Sequence, residues 1–141
     1  MDNRLVVLIV EDHREVLDAL KLFVESLPDV DILLADSYLS AVAWIGRESR
    51  IDLLLCDVLL PGAMNGIDVA DVAVTAHPAI AVVLLSADAQ ADIEGLTDRY
   101  SFVQKPFGRE AVTQQIDRAF LRLRTSQQHA LHVDQGFTTK D

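Results

Sequence analysis

Three short stretches of this chain contain almost nothing polar: "LVVLIV" at Leu5 to Val10, "DLLLC" at Asp52 to Cys56 and "IAVVLLS" at Ile80 to Ser86. A strand with one wet face alternates apolar and polar residues, so an unbroken apolar run of this length predicts a strand covered on both faces. Such strands belong to a parallel sheet with helices on either side. The first run is also too short for a signal-peptide core or a membrane span. A cytoplasmic protein is the simplest expectation.

Two further runs of strand length, "VDILLA" (Val30 to Ala35) and "SFVQ" (Ser101 to Gln104), bring the strand count to five. Between the runs lie segments with helical spacing: "REVLDALKLFVESL" (Arg14 to Leu27), "SAVAWIGRES" (Ser40 to Ser49), "GIDVADVAVTAH" (Gly66 to His77), a weaker "ADIEGLTDR" (Ala91 to Arg99) and "REAVTQQIDRAFLRLR" (Arg109 to Arg124). Pro28, Pro61, Pro78 and Pro106 fall between these elements, where a missing N–H does least harm. Strand–helix alternation of this kind predicts an α/β fold, a doubly wound five-stranded parallel sheet with helices on both faces. With 141 residues, half of them hydrophobic, one compact domain over residues 1–124 is expected. The segment 125–141, "TSQQHALHVDQGFTTKD", loses periodicity and reads as a flexible C-terminal tail or linker stub, its His129 and His132 as plain tail residues.

The chain carries 12 basic and 22 acidic residues, a formal net charge of −10, which opposes attraction to nucleic acid phosphates and to an anionic membrane. Neither is expected as a direct partner. Cys56 is the single cysteine, so no internal disulfide can form, which fits a reducing compartment and a buried structural thiol.

In an open parallel sheet ligands bind outside the C-terminal strand ends, where the strand order reverses. The first strand runs into Glu11 and Asp12, the third into Asp57, the fourth ends at Ser86, and the fifth is followed by Lys105 and Pro106. In the common order 2-1-3-4-5 the first and third strands are neighbours, so Glu11, Asp12 and Asp57 would converge. Three carboxylates in one cleft repel each other and raise at least one pKa. A hard divalent cation with oxygen ligands, Mg²⁺ above all, relieves that repulsion and accepts a phosphate oxygen as well. Lys105 would supply a positive charge and Ser86 a hydroxyl on the far side of the cleft, with Asp57 the carboxylate central enough to carry a phosphoryl group. A plainer reading makes Asp12 an N-cap for the helix from Arg14 onward.

The pieces "LIVEDHREV", "CDVLLPGAMNGIDVA", "VVLLSAD" and "FVQKPF" together resemble the receiver domain of two-component response regulators, over about Leu5 to Arg124. The resemblance implies a flavodoxin-like fold in which Asp57 accepts a phosphoryl group from a sensor histidine kinase or a histidine phosphotransfer protein. It implies Mg²⁺ held by Asp12 and Asp57, by Glu11 mostly through water, and by the backbone carbonyl of Leu59. Lys105 and Ser86 would contact the phosphoryl oxygens, and the Lys105–Pro106 bond would be cis. Ser86 and Phe102 would form a switch, though an ordinary core role explains Phe102 equally well. Output would leave through a protein-binding surface over residues 91–124 toward a downstream protein, with a homodimer left open. The domain would be no enzyme beyond catalysing its own aspartyl phosphorylation and dephosphorylation.

The sequence departs from the common family pattern in three places. The loop "PGAMNG" is one residue longer, Ser86 stands for the more frequent threonine, and Phe102 for the frequent tyrosine. A flavodoxin-like electron carrier would need a loop rich in hydroxyls and glycine after the first strand, where "EDHREV" places negative charge. A phosphohydrolase with an aspartyl nucleophile usually carries it after the first strand with a second acid two residues on. Glu11 and Asp12 instead sit side by side. A degenerate receiver, working as a phosphorylation-independent interaction module, is the nearer alternative.

Overall fold

A computed structural model of the chain describes residues 4–87 and 100–121. Its elements run β1 (Leu5–Val10), α1 (Arg14–Glu25), β2 (Val30–Ala35), α2 (Tyr38–Arg47), β3 (Leu53–Asp57), α3 (Gly66–Ala76), β4 (Ala81–Ser86) and β5 (Tyr100–Gln104), followed by helical residues 109–121. The helix expected over Ala91 to Arg99 and the tail expected over 125–141 lie outside the described residues.

The five strands form one parallel sheet in the order β2-β1-β3-β4-β5. The three apolar runs become its three central strands, and β3 is buried at every position. Edge strands β2 and β5 are mostly half-buried, as their mixed composition requires. Alternate residues of each strand supply two separate cores. Leu8, Val10, Leu54, Cys56, Val82 and Leu84 pack under α2 and α3. On the other face Val7, Ile9, Leu53, Leu55, Val83 and Leu85 pack under α1 and the C-terminal helix, through Leu20, Val24, Val112 and Ile116. Each fully buried aliphatic side chain contributes about 1.5–3 kcal/mol relative to exposure, so the central strands are the rigid base of the molecule. No helix among the described residues is long and apolar enough to cross a membrane.

Several boundaries differ from the sequence expectation by a residue or two, and three of them have a clear local cause or consequence. Strand β3 extends one residue further, so that Asp57 pairs with Leu85 and the next N–H, from Val58, reaches Leu85 O at 2.9 Å. Asp57 is therefore the last rung of a strand and not the first residue beyond it. Helix α2 starts at Tyr38, earlier than Ser40, because Ser37 caps it: its hydroxyl accepts from Ser40 N while the Ser40 hydroxyl accepts from Ser37 N, a reciprocal capping box. Helix α1 stops at Glu25, with Leu27 N–H folding back onto Val24 O at 3.0 Å.

Candidate functional site

The site is built by strand register. Val10 lies opposite Cys56 across β1 and β3, so the residues that follow, Glu11 and Asp57, reach the same rim of the sheet. Across β3 and β4, Asp57 lies opposite Leu85, and Ser86 lies opposite Gln104 of β5. Lys105 N then donates to Ser86 O at 2.7 Å, which ties the start of the following loop to the end of β4. Four strand ends thus deliver Glu11, Asp12, Asp57, Ser86 and Lys105 to one place, with the Lys105–Pro106 peptide bond cis.

Glu11 is fully buried, and Asp57 and Ser86 are each only 2 % exposed. The Asp57 carboxylate has both oxygens engaged: Oδ1 accepts from Leu59 N at 3.2 Å and Oδ2 from Lys105 Nζ at 2.9 Å. Glu11 Oε2 accepts from His13 N at 3.2 Å, and its Oε1 lies 3.5 Å from Lys105 Nζ. Asp12 Oδ1 is buried with no hydrogen-bond partner, the one such side-chain atom among the described residues. One oxygen from each of Glu11, Asp12 and Asp57 falls within 4.8 Å of the others.

These contacts set the electrostatics. Burial pushes the Glu11 carboxyl up from 4.5 to about 7, against the pull of the His13 N–H and with help from the charge on Asp57. Burial would lower Lys105, but its hydrogen bond to Asp57 and the charges of Asp57 and Glu11 prevail and hold it above its ordinary value. It stays an ammonium. Burial, followed by the neighbouring charges of Asp57 and Glu11, drives the Cys56 thiol well above its usual range, so the cysteine is an inert core group beside the acceptor.

Two expectations need revision. Lys105 does not stand across the cleft from the acids: it bonds Asp57 and Glu11 directly, drawn there by carboxylates in excess of cations. Nor does Asp12 serve as the helix cap, since the N-cap of α1 is His13, whose side chain makes no capping bond, and Asp12 Oδ1 is left unsatisfied. Phe102 is half-buried on the sheet face that carries α2 and α3, opposite Leu84 and two rungs before the pair formed by the buried Ser86 and Gln104. Leu59 turns its side chain to solvent, 69 % exposed, while its backbone faces the acceptor.

The sequence reading did not identify the backbone donors His13 N and Leu59 N, because main-chain N–H groups leave no residue-type signature. It also passed over Asn65, whose Oδ1 accepts from Ile67 N and Asp68 N while Asp68 Oδ2 accepts from Asn65 N at 2.7 Å. Here a signal existed: Asn followed three residues later by Asp, in "NGID", is a capping-box pattern.

An oxygen-only set with an orphaned, buried carboxylate oxygen fits a hard divalent cation, which Glu11, Asp12 and Asp57 could hold. Their crowding around a single ammonium leaves negative charge that a cation would balance.

Comparison with known proteins agrees with this arrangement. The family model for the response regulator receiver domain matches residues 7–117. Among solved structures, the signal receiver domain of a putative Luxo repressor protein from Vibrio parahaemolyticus is 23% identical with a TM-score of 0.76, over 88% of this chain and 95% of that one. A CheY-like response regulator receiver domain protein from Methanospirillum hungatei is 21% identical with a TM-score of 0.75, over 88% of this chain and 99% of that one. A response regulator receiver protein from Sinorhizobium medicae is 18% identical with a TM-score of 0.73, over 86% of this chain and 94% of that one. No curated protein matches significantly in sequence. The match over more than a hundred residues, on a sheet of the order the motifs imply, leaves one conclusion: the chain belongs to the response regulator receiver domain family of two-component systems.

Proposed function

We propose that this chain is a working receiver, in which Asp57 accepts a phosphoryl group from a phosphohistidine on a sensor histidine kinase or a histidine phosphotransfer protein. The observation that carries the proposal is the pairing of Asp57 with Lys105 at 2.9 Å beside the unsatisfied Asp12 Oδ1. A carboxylate with a fixed ammonium at one oxygen and a backbone N–H at the other is oriented for attack. In the reaction a carboxylate oxygen of Asp57 attacks phosphorus in line, the P–O bond forms as the donor's P–N bond breaks, and the imidazole leaves. Lys105 Nζ, held at 2.9 Å from Asp57 Oδ2, stands beside the acceptor and would neutralise charge on the transferring oxygens as it moves onto them.

Glu11, Asp12 and Asp57, with the Leu59 carbonyl, are the groups that would hold Mg²⁺. When bound, the cation would add positive charge against the phosphoryl oxygens. Moving Lys105 Nζ from the acids to the new phosphoryl group leaves Ser86, buried at the end of β4, as the adjacent hydroxyl donor. Its shift would change the space open to Phe102 on β5 and so switch a surface used by a downstream protein. Part of the region 91–124 assigned to that output falls outside the described residues.

Beside Lys105 a largely apolar hollow of about 520 Å³ opens between α1, at Val16, Ala19 and Phe23, and the Pro106–Phe107 segment. It gives a phosphodonor protein a surface to rest on next to the acceptor. The direct test is incubation with a small-molecule phosphodonor, with and without Mg²⁺, read by intact mass on wild type and Asp57→Asn. A single added phosphoryl on wild type, dependent on Mg²⁺ and absent from Asp57→Asn, is expected. Equal labelling of the variant would overturn the assignment.

A further inference from the structure

Gly66, the first residue of α3, lies against the acceptor's own peptide. An added Cβ would stand 2.0 Å from Asp57 O, 2.8 Å from Asp57 C and 2.9 Å from Val58 Cα. All three are backbone atoms, which no side-chain rotation can clear. Gly66 is not among the residues with positive φ, so close approach and not dihedral freedom is what demands glycine here. The Asp57 carbonyl is also touched from another side, by Cys56 Sγ at 3.3 Å, and the same peptide's N–H, from Val58, is fixed to Leu85 O at 2.9 Å. The peptide that follows the acceptor is thereby wedged between a central strand and a helix start.

We infer that Gly66 is a positioning residue for phosphoryl acceptance: by letting α3 close onto the Asp57–Val58 peptide, it sets where the Asp57 carboxylate and the Leu59 backbone stand relative to Lys105. The inference rests on the receiver reading of Asp57 proposed above. Relieving a contact of 2.0 Å to the 3.0 Å that real Cβ atoms require moves one partner by about 1 Å. Two routes are open. If the Asp57 peptide yields, the carboxylate moves with it. If α3 retreats, Gly66 N, bonded to Val58 O at 2.8 Å, drags the loop that carries Leu59, whose N–H holds Asp57 Oδ1. Helix α3 also packs through Val69, Ala70 and Ala73 into the closed core under the sheet, which resists retreat. Both routes disturb the acceptor, and a misplacement of about 1 Å at a reacting centre costs on the order of 10²-fold in rate.

The test compares the full chain as wild type, Gly66→Ala, Asn65→Ala and Ala73→Gly. Ala73→Gly weakens the same helix away from the acceptor. Asn65→Ala loosens the helix start without adding an atom beside Asp57. Readouts are near-UV circular dichroism, melting temperature, Mg²⁺ Kd and the rate of labelling by a small-molecule phosphodonor at saturating Mg²⁺. Gly66→Ala is expected to label about 10²-fold more slowly and to bind Mg²⁺ at least tenfold more weakly, with Asn65→Ala intermediate. Ala73→Gly should lower the melting temperature yet keep wild-type rate and Kd, a separation that a merely structural role for Gly66 would not produce. A folded Gly66→Ala with wild-type rate and Kd overturns the inference. So does wild-type behaviour of Asn65→Ala if Gly66→Ala fails to fold. Absence of labelling in the wild type would instead strike the receiver reading itself.

Discussion

Strand β3 is bracketed by two buried carboxylates, Asp52 just before it and Asp57 at its end, and their surroundings are opposite. At the N-terminal end of the sheet, Asp52 Oδ2 accepts from Val6 N at 2.8 Å and from Arg50 Nε at 3.1 Å. The Arg50 guanidinium also donates to the Arg4 carbonyl, and Arg4 in turn bonds Asp31 Oδ1 at 2.8 Å and Val30 O at 2.7 Å. Two arginines meet two aspartates there, and the buried acid is satisfied. At the C-terminal end Glu11 and Asp57 share Lys105, and the third carboxylate, Asp12, has a buried oxygen with no partner. A satisfied buried carboxylate stitches strands together. An under-compensated cluster, in which burial first and the charge of Asp57 after it raise the Glu11 carboxyl to about 7, is what a cation and a phosphoryl group would complete.

The contrast can be broken from either end, and the largest effect is expected at Lys105. Lys105→Ala should slow phosphodonor labelling by about 10²–10³-fold at saturating Mg²⁺, the usual consequence of losing one preorganised charge-stabilising donor. A labelling time course by intact mass measures it. Asp52→Asn addresses the opposite end: it weakens the bonds to Val6 N and Arg50 and should destabilise the chain by about 1–3 kcal/mol in urea unfolding. Its labelling rate at a temperature where it is folded should match wild type.

The smallest of the three concerns pH. Glu11 titrates near 7 in the folded chain against 4.5 ordinarily, so the folded state holds this proton more tightly than the unfolded state. The stability it contributes is full below about pH 4.5 and is lost as pH rises through about 7. Cation binding requires the deprotonated form, so Mg²⁺ affinity should rise about tenfold between pH 6 and pH 8, seen as a growing Mg²⁺-induced shift in melting temperature. A flat profile would show that Glu11 does not control the cluster.

Much of this arrangement was legible in the sequence. Unbroken apolar runs at Leu5 to Val10 and Ile80 to Ser86 marked buried central strands because only a strand covered on both faces can do without polar residues. The acids and the lysine followed from asking which residues end those strands. What was not legible is long-range. Burial continues past the pairing of Cys56, so the apolar run alone could not say that Asp57 still belongs to the ladder. The capture of Lys105 by Asp57 depends on two residues 48 positions apart in the chain, which composition and periodicity cannot bring together. Ser37 and Ser40, by contrast, carried a local capping signal that the apolar spacing of α2 overshadowed.

The central claim is that of the two buried aspartates that bracket β3, only the one at the under-compensated end takes the phosphoryl group. Fragment-ion mass analysis of wild-type chain labelled in the presence of Mg²⁺ locates that group at a single residue. The expected result is one phosphoryl on Asp57 and none on Asp52. A phosphoryl group found on Asp52, on a serine or on a histidine, with Asp57 unmodified, would contradict the account.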